Sequence, residues 1–466
     1  MRPTFKQVLP VLAIAAVLAA SRGAGAQEAA QPGAQQGAQQ QALTLAQAIG
    51  IALESNPAVA SAKASLAAAG YGVDASLTGF LPQVTGSVGY RRASQNVAGD
   101  DSTGGTGTGT GTGTQGAVRA SGESYDSYSA SLGMQQTIWD FGRTLGPYNA
   151  SKAQARAAAA DLRATVEDTC LQVGQAYFTA IAARQSVEAA EEAKRQMAEH
   201  LAAAKGRMEA GLRPRIDVTR AQADLSSAEL ALVQAVNAER TARVALATAI
   251  GRPGMGAVPL VRPASSEPPG AEDLQASIDE ALGARPEILR LREQVQAAQW
   301  QVTAARGGYW PTLGANAGMT YTGLKIDDMA WNWYVGASLN WGLVSGIVHA
   351  NAAAKQAQAN VAALKANLQS LENATRAEVE NAEVAWREAR DKQAPARDLL
   401  AAARETLDLA EARYAVGSGN VTEVADAQAT LVKARTGAIQ VELDIETARL
   451  KLLRSLGRLS SSLSPP

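Results

Sequence analysis

Two hydrophobic periods alternate along this chain, and the alternation occurs twice. From Leu43 to about Leu77, apolar residues recur at helical spacing (Leu45, Ile49, Ala52, Leu53), with Thr44 placed to cap and Asn56-Pro57 interrupting. The period then drops to two. Val84, Gly86, Val88 and Tyr90 alternate with Gln83, Thr85, Ser87 and Gly89; Tyr128, Ala130, Leu132 and Met134 alternate with Ser129, Ser131, Gly133 and Gln135, reaching Ile138 and Trp139. These runs predict strands over about 82–95 and 125–139. A helix of unusual length follows, about 148–211, and a shorter one over about 216–250.

The second half says the same. A helical pattern over about 272–306 is interrupted at Arg285-Pro286, and strands are predicted at about 311–322 and 331–341. In the first, Leu313, Ala315, Ala317, Met319 and Tyr321 share a side; in the second, Trp331, Trp333, Val335, Ala337, Leu339 and Trp341 do. A continuous long helix is expected over about 350–416, with Pro395 its only proline, and a shorter one over about 421–456. Rods of sixty-odd residues would be roughly 95 Å long, and their stripes, rich in alanine, are coiled-coil-like. The repeats thus run 43–252 and 272–458, joined by a Pro-rich linker, 253–271, and followed by a tail, 459–466.

In each strand one face is apolar and the other is Ser, Thr, Asn, Gln and Gly. Each run is about the length of a tilted strand crossing a bilayer, with lipid outside and water inside. Tyr90, Tyr128, Trp139, Tyr321, Trp331, Trp333 and Trp341 are the candidate interfacial aromatics. A soluble sandwich edge with one wet face would give a similar alternation. Four strands cannot close a barrel, and an open edge does not survive in lipid, so the pattern requires further copies. Three would supply a 12-stranded barrel wide enough for a water-filled lumen.

Composition narrows the choice. Net charge is −1, which gives no electrostatic case for nucleic acid. Residues 1–26 read as an export signal: Arg2 and Lys6, an apolar run from Val8 to Ala20, then Ala24-Gly25-Ala26. Residues 27–42 form a disordered leader of Gln, Ala and Gly, and Thr103–Gly116 is a Thr-Gly loop between strands. Cys170 is the only cysteine, which excludes an intrachain disulfide. His200 and His349 are the only histidines; each sits in a helical pattern without a metal-ligand partner and is expected to be solvated. No nucleotide loop, nucleophile elbow or metal cluster is present, so neither an enzyme nor a cofactor is expected.

Two bends match each other. Gly211 corresponds to Gly417, Gln222 to Gln428, and Gly251-Arg252 to Gly457-Arg458, all at one offset. With the duplicated layout, the Leu43-Thr44-Leu45 to Asn56-Pro57 opening, and the Leu81-Pro82 and Trp310-Pro311 strand entries, these bends resemble the TolC family of outer-membrane channel proteins over about 43–458. The resemblance implies an α+β membrane protein: a homotrimer whose strands form the barrel in outer-membrane lipid and whose helices form an α-helical barrel across the periplasm. It also implies a periplasmic adaptor and an inner-membrane transporter as partners, with gating at the helical tips. Glu423 and Asp426 match the family's acidic gate positions, and a spacing of three puts them on one helix face. The same acids would also suit the positive end of a helix capped by Thr422. Asp217 and Tyr414 match positions that hold neighbouring tip helices shut. Gly211, Leu212, Val416 and Gly417 match the motif that meets the adaptor. One departure stands out: Gly419 occupies a family arginine position, and a charged lock is lost there unless Arg213, Arg215 or Arg220 replaces it. The rival reading is a coiled-coil scaffold anchored by a barrel without a conducting lumen.

Overall fold

The computed structural model describes residues 42–94, 124–211, 214–254, 258–263 and 274–463. The export signal, the leader up to Gln41, the Thr-Gly loop, Leu212, Arg213 and most of the linker lie outside the described residues. In chain order the elements are α1 (Leu45–Ser55), α2 (Pro57–Leu77), β1 (Gln83–Ser94), β2 (Ser124–Trp139), α3 (Leu145–Glu209) and α4 (Arg215–Ile250). There follow α5 (Leu274–Ala284), α6 (Pro286–Gly307), β3 (Thr312–Gly323), β4 (Ala330–Asn340), α7 (Ser345–Asp391), α8 (Gln393–Ala415), α9 (Val421–Ser455) and α10 (Leu459–Leu463).

Local chemistry sets several of these boundaries. Thr44 and Gln47 form a reciprocal capping box at α1. Asn56 ends α1 and caps α2 through the Ala58 N–H, with Pro57 at the first helical position. The expected continuous second rod is instead two helices, α7 and α8, that break at Lys392. Pro395 explains the correction: it has no N–H to offer the Asp391 carbonyl, and its ring crowds the preceding turn. The expected tail is also partly structured, since Leu459 is fully buried at the start of α10.

The four strands form one antiparallel sheet in the order β1-β2-β3-β4. Its registers pair Val84 with Met134, Leu132 with Met319, and Met319 with Trp333. Directly opposed residues share a face, so all four apolar rows fall on one side. Strict alternation would put Trp139 on the polar face. A register shift between Thr137 and Trp139 leaves Ile138 as the extra residue and pairs Trp139 with Leu313, on the apolar side. Tyr90, Tyr128, Tyr321, Trp331 and Trp333 cluster toward the loop end of the sheet, and Trp139 and Trp341 toward the helix end. The apolar face is uncovered within the chain: Val88 is 89% and Val335 74% exposed.

Nearest the sheet, α3 packs between α2 and α6, and α6 on α7, so the helices keep the order of their strands. Toward the tips, α3 lies between α4 and α9, with α8 on the far side of α9. Alanines at three- and four-residue spacing let α3 approach its neighbours closely: Ala150 and Ala153 pack on Ala297 of α6. The main core gathers Leu45, Ile49 and Ala52 of α1 with Cys170, Val173 and Tyr177 of α3 and Leu450 and Leu453 of α9. The Tyr177 hydroxyl sits 2.8 Å from the Leu43 carbonyl and 2.5 Å from that of Val261, tying the linker to the helix layer.

An ion network beside this core locks four helices at fixed heights. Arg454 of α9 donates to Asp168 of α3 at 2.8 Å and to Glu287 of α6. Arg285, just before α6, donates to Glu378 and Thr375 of α7 at 2.7 and 3.3 Å. Both guanidinium groups are buried and each is paired with an acid, as buried charges must be, although Arg285 Nε and Arg454 Nη1 make no hydrogen bond. Burial pushes the Glu287 carboxyl up, but the hydrogen bond and charge of Arg454, with Arg285 behind them, outweigh it and hold the group below the usual carboxylate range.

Candidate functional site at the helical tips

The first tip forms where α3 ends at its C-cap Ala210 and Gly211 turns left-handed at φ +72°, its N–H donating to the Met208 carbonyl. Pro214 begins α4, and Asp217 lies buried in the first turn, where the helix dipole favours an acid. Leu212, an expected docking residue, lies outside the described residues.

The second tip is described throughout. Past α8, Val416 projects into solvent and Gly417 takes φ +81°. The N–H groups of Ser418 and Gly419 both donate to the Arg413 carbonyl, at 3.0 and 2.9 Å, closing the bend. Asn420, not Thr422, caps α9 by accepting the Thr422 N–H at 3.3 Å. The turn also accounts for Gly419: a Cβ there would stand 2.8 Å from the Tyr414 nitrogen and 3.0 Å from the Arg413 carbonyl carbon. No arginine fits that position while the bend keeps this form.

Positive charge reaches the tip from elsewhere. Arg413 pairs with Glu423 at 2.7 Å, and Arg220 of α4 donates to the Thr422 hydroxyl at 2.8 Å, linking the two tips directly. The two predicted gate acids are therefore unequal. Glu423 is half-buried and ion-paired, whereas Asp426, one turn on, is exposed. Tyr414 is buried among Leu407, Ala410, Val424 and Ala427, with the Arg207 guanidinium 4.5 Å above its ring. It thus joins α8 to α3, while Asp217 belongs to the α3–α4 pair.

Two further contacts across the helix pairs escaped the sequence reading. His200 is not simply solvated: its Nε2 lies 3.2 Å from the Glu411 carboxylate, between α3 and α8. Gln428 is buried and donates to Gln196 at 2.8 Å, between α9 and α3. A helical pattern shows which face a residue occupies but not which distant helix covers it. Among the described residues there is no cluster of metal-ligating side chains, and no helix is long and apolar enough to cross a membrane.

A sheet with a lipid-type face, helix layers continuing from it and two glycine-turned tips define the comparison. The family described as outer membrane efflux protein matches residues 48–252 and 277–458, most of the chain. The chain belongs to that family. Outer membrane efflux protein BepC of Brucella suis is 26% identical over 423 residues, 90% of this chain and 86% of its own. Outer membrane protein TolC of Vibrio cholerae is 25% identical over 433 residues, 89% of this chain and 91% of its own. The fold agrees with the solved outer-membrane channel OprN, with a TM-score of 0.76 at 22% identity and 89% of each chain covered. Efflux proteins of this family are channels rather than enzymes. They are outer-membrane components of export systems, with the helical part in the periplasm, and this chain shares that location. Within that setting the tips are the periplasmic end of the molecule, and Asp426 is an exposed carboxylate there, outside the Arg413 pair.

Proposed function

We propose that the chain is the exit duct of a tripartite export system, formed by three copies and gated at the periplasmic tips. What carries this reading is the sheet. Every strand contributes its apolar row to one face and its polar row to the other, and both outer strands, β1 and β4, end the sheet with open edges. Such a sheet is stable in a bilayer only when closed, and three copies would close a 12-stranded barrel around a polar lumen. From Trp331 to Trp341 is roughly 34 Å along the strand; at a tilt of about 45° this spans about 24 Å of bilayer, so the two aromatic groups would sit at its two interfaces.

On the same reading the halves are internal duplicates, and the helix layers close into an α-helical barrel below the sheet. Three copies of Asp426, supported by Glu423, would ring the narrow end and favour cations. Arg220–Thr422 and the Arg207–Tyr414 stack hold that end together, with Asp217 beside them. Gly211, Leu212, Val416 and Gly417 would present the bends to a periplasmic adaptor, which passes cargo from an inner-membrane transporter.

Single-channel conductance in a planar bilayer tests this, with a divalent cation added to each side in turn. Small cation-selective steps blocked from one side only are expected. A purified oligomer that conducts nothing, even after Arg220→Ala and Arg207→Ala together, would overturn the duct reading in favour of a non-conducting scaffold.

A further inference from the structure

The polar face of the sheet is almost without charge. It carries hydroxyls, amides and glycines on all four strands, among them Ser87, Ser131, Asn316, Thr320, Asn332 and Ser338. The Ser87 and Ser131 hydroxyls lie 2.8 Å apart, which confirms that opposed residues of these rows share the face. Arg91 is the exception. It keeps the parity of Gln83, Thr85, Ser87 and Gly89, and opposes Ser127. Among the described residues of the four strands, no other charged side chain belongs to that face.

Its neighbour behaves differently. Arg92 falls on the apolar face, 3.8 Å from the Asp126 carboxylate, and donates to the Ser124 hydroxyl at 3.1 Å. Arg91 is exposed, and among the described residues no acid pairs with it. Its height is set by Tyr90, one residue before it, whose ring lies 5.2 Å from that of Tyr128 at the loop end of the sheet. Arg91 therefore stands at the rim of the polar face, level with the aromatic group there. The acids Asp327 and Asp328 belong to the turn between β3 and β4, with Lys325 beside them, and not to a strand face.

We propose that Arg91 from three copies forms a cationic ring at the outer mouth of the duct, a binding site for polyvalent anions of the phosphate type. Rings of arginine in an aqueous pore select anions as rings of carboxylate select cations. The inference rests on the trimeric duct reading above and adds a second charge filter, opposite in sign and at the end away from the tips.

The dimensions allow the three arginines to act together. Twelve strands about 4.8 Å apart and tilted by about 45° enclose a backbone radius of about 13 Å. Side chains reaching inward bring the guanidinium groups to about 6 Å from the axis and about 10 Å from one another, close to one screening length at about 0.1 M salt. Their fields therefore overlap on the axis. Each planar fork can donate twice to a phosphate group, with the Ser127 hydroxyl beside it as a further donor. An anion arriving from outside meets this ring first, and a polycation is repelled by it.

The test is single-channel recording of the full chain in a planar bilayer without divalent cations, with inorganic triphosphate added to either side. Added on the side of the strand loops, triphosphate should block the current; added at the tips, it should need a concentration about tenfold higher or more. Arg91→Gln should raise the half-blocking concentration on the loop side about tenfold, whereas Arg91→Lys, which keeps the charge, should retain most of the block. Arg92→Gln should leave it unchanged, because that side chain faces away from the lumen. The block should fade as salt approaches about 1 M. Conductance without such a block, or a block that Arg91→Gln leaves in place, would overturn the ring and leave the duct standing. A protein that conducts nothing, even with Arg220→Ala and Arg207→Ala at the tip, would overturn the duct and the ring together.

Discussion

Replacing Arg454 by methionine removes one end of the buried network and should destabilise the protein by about 3 kcal/mol. The Arg454 side chain is 8% exposed and that of Glu287 22%, so the substitution strands a carboxylate in a largely dry site. Breaking a buried pair from one side usually costs about 3–5 kcal/mol. Arg285 remains 3.9 Å from Glu287, which keeps the cost near the lower end. Asp168 is more than half exposed and returns to water at little cost. The discriminating variant is Arg454→Met with Glu287→Leu. If desolvation of Glu287 is what the single variant suffers, the double variant should be more stable than Arg454→Met alone. The pH dependence follows from the depressed carboxyl. Its contribution is present above the unfolded-state value and disappears as pH falls through the lower folded value, so the gap between wild type and Arg454→Met should shrink as the solution is acidified. Urea unfolding in detergent, followed by circular dichroism across pH, measures all of this. A single variant within about 0.5 kcal/mol of wild type, or a double variant less stable than the single, would refute the reasoning.

At the tip, Asp426→Asn should reduce cation selectivity more than Glu423→Gln, because Arg413 already offsets Glu423; reversal potentials in bilayers decide, and equal effects would count against the asymmetry. Arg413→Ala should make the Glu423→Gln change matter. Gly417→Ala places a side chain at φ +81° in otherwise open space, so it should cost about 1 kcal/mol through backbone strain alone, read from the denaturant midpoint. Cys170 should resist maleimide at pH 8 in the native protein and react once unfolded, since burial pushes its thiol up to about 12.

What the sequence disclosed depended on how local each cause is. The Asn56-Pro57 and Arg285-Pro286 breaks and the period-two strands are written in consecutive residues, and the structure places them as expected. Pro395 was equally visible, but its consequence falls three residues upstream at Lys392, so one rod was expected where two helices exist. The bulge at Ile138 belongs to a pairing with β3, far along the chain, and no property of β2 alone requires it. Arg454 meets Glu287 across 167 positions and Asp168 across 286, which no helical period predicts. Gly419 shows the same limit at the tip. Against the family pattern it registers as a missing charge; in the bend it is the residue whose hydrogen atom leaves room for the Tyr414 backbone. The fastening of that tip therefore passes to Arg413 and Arg220, side chains whose partners only the folded hairpins bring within reach. In the proposed trimer, a tip fastened from within the chain at Glu423 would have less negative charge to repel its copies, and so would close more tightly than a ring of unpaired acids.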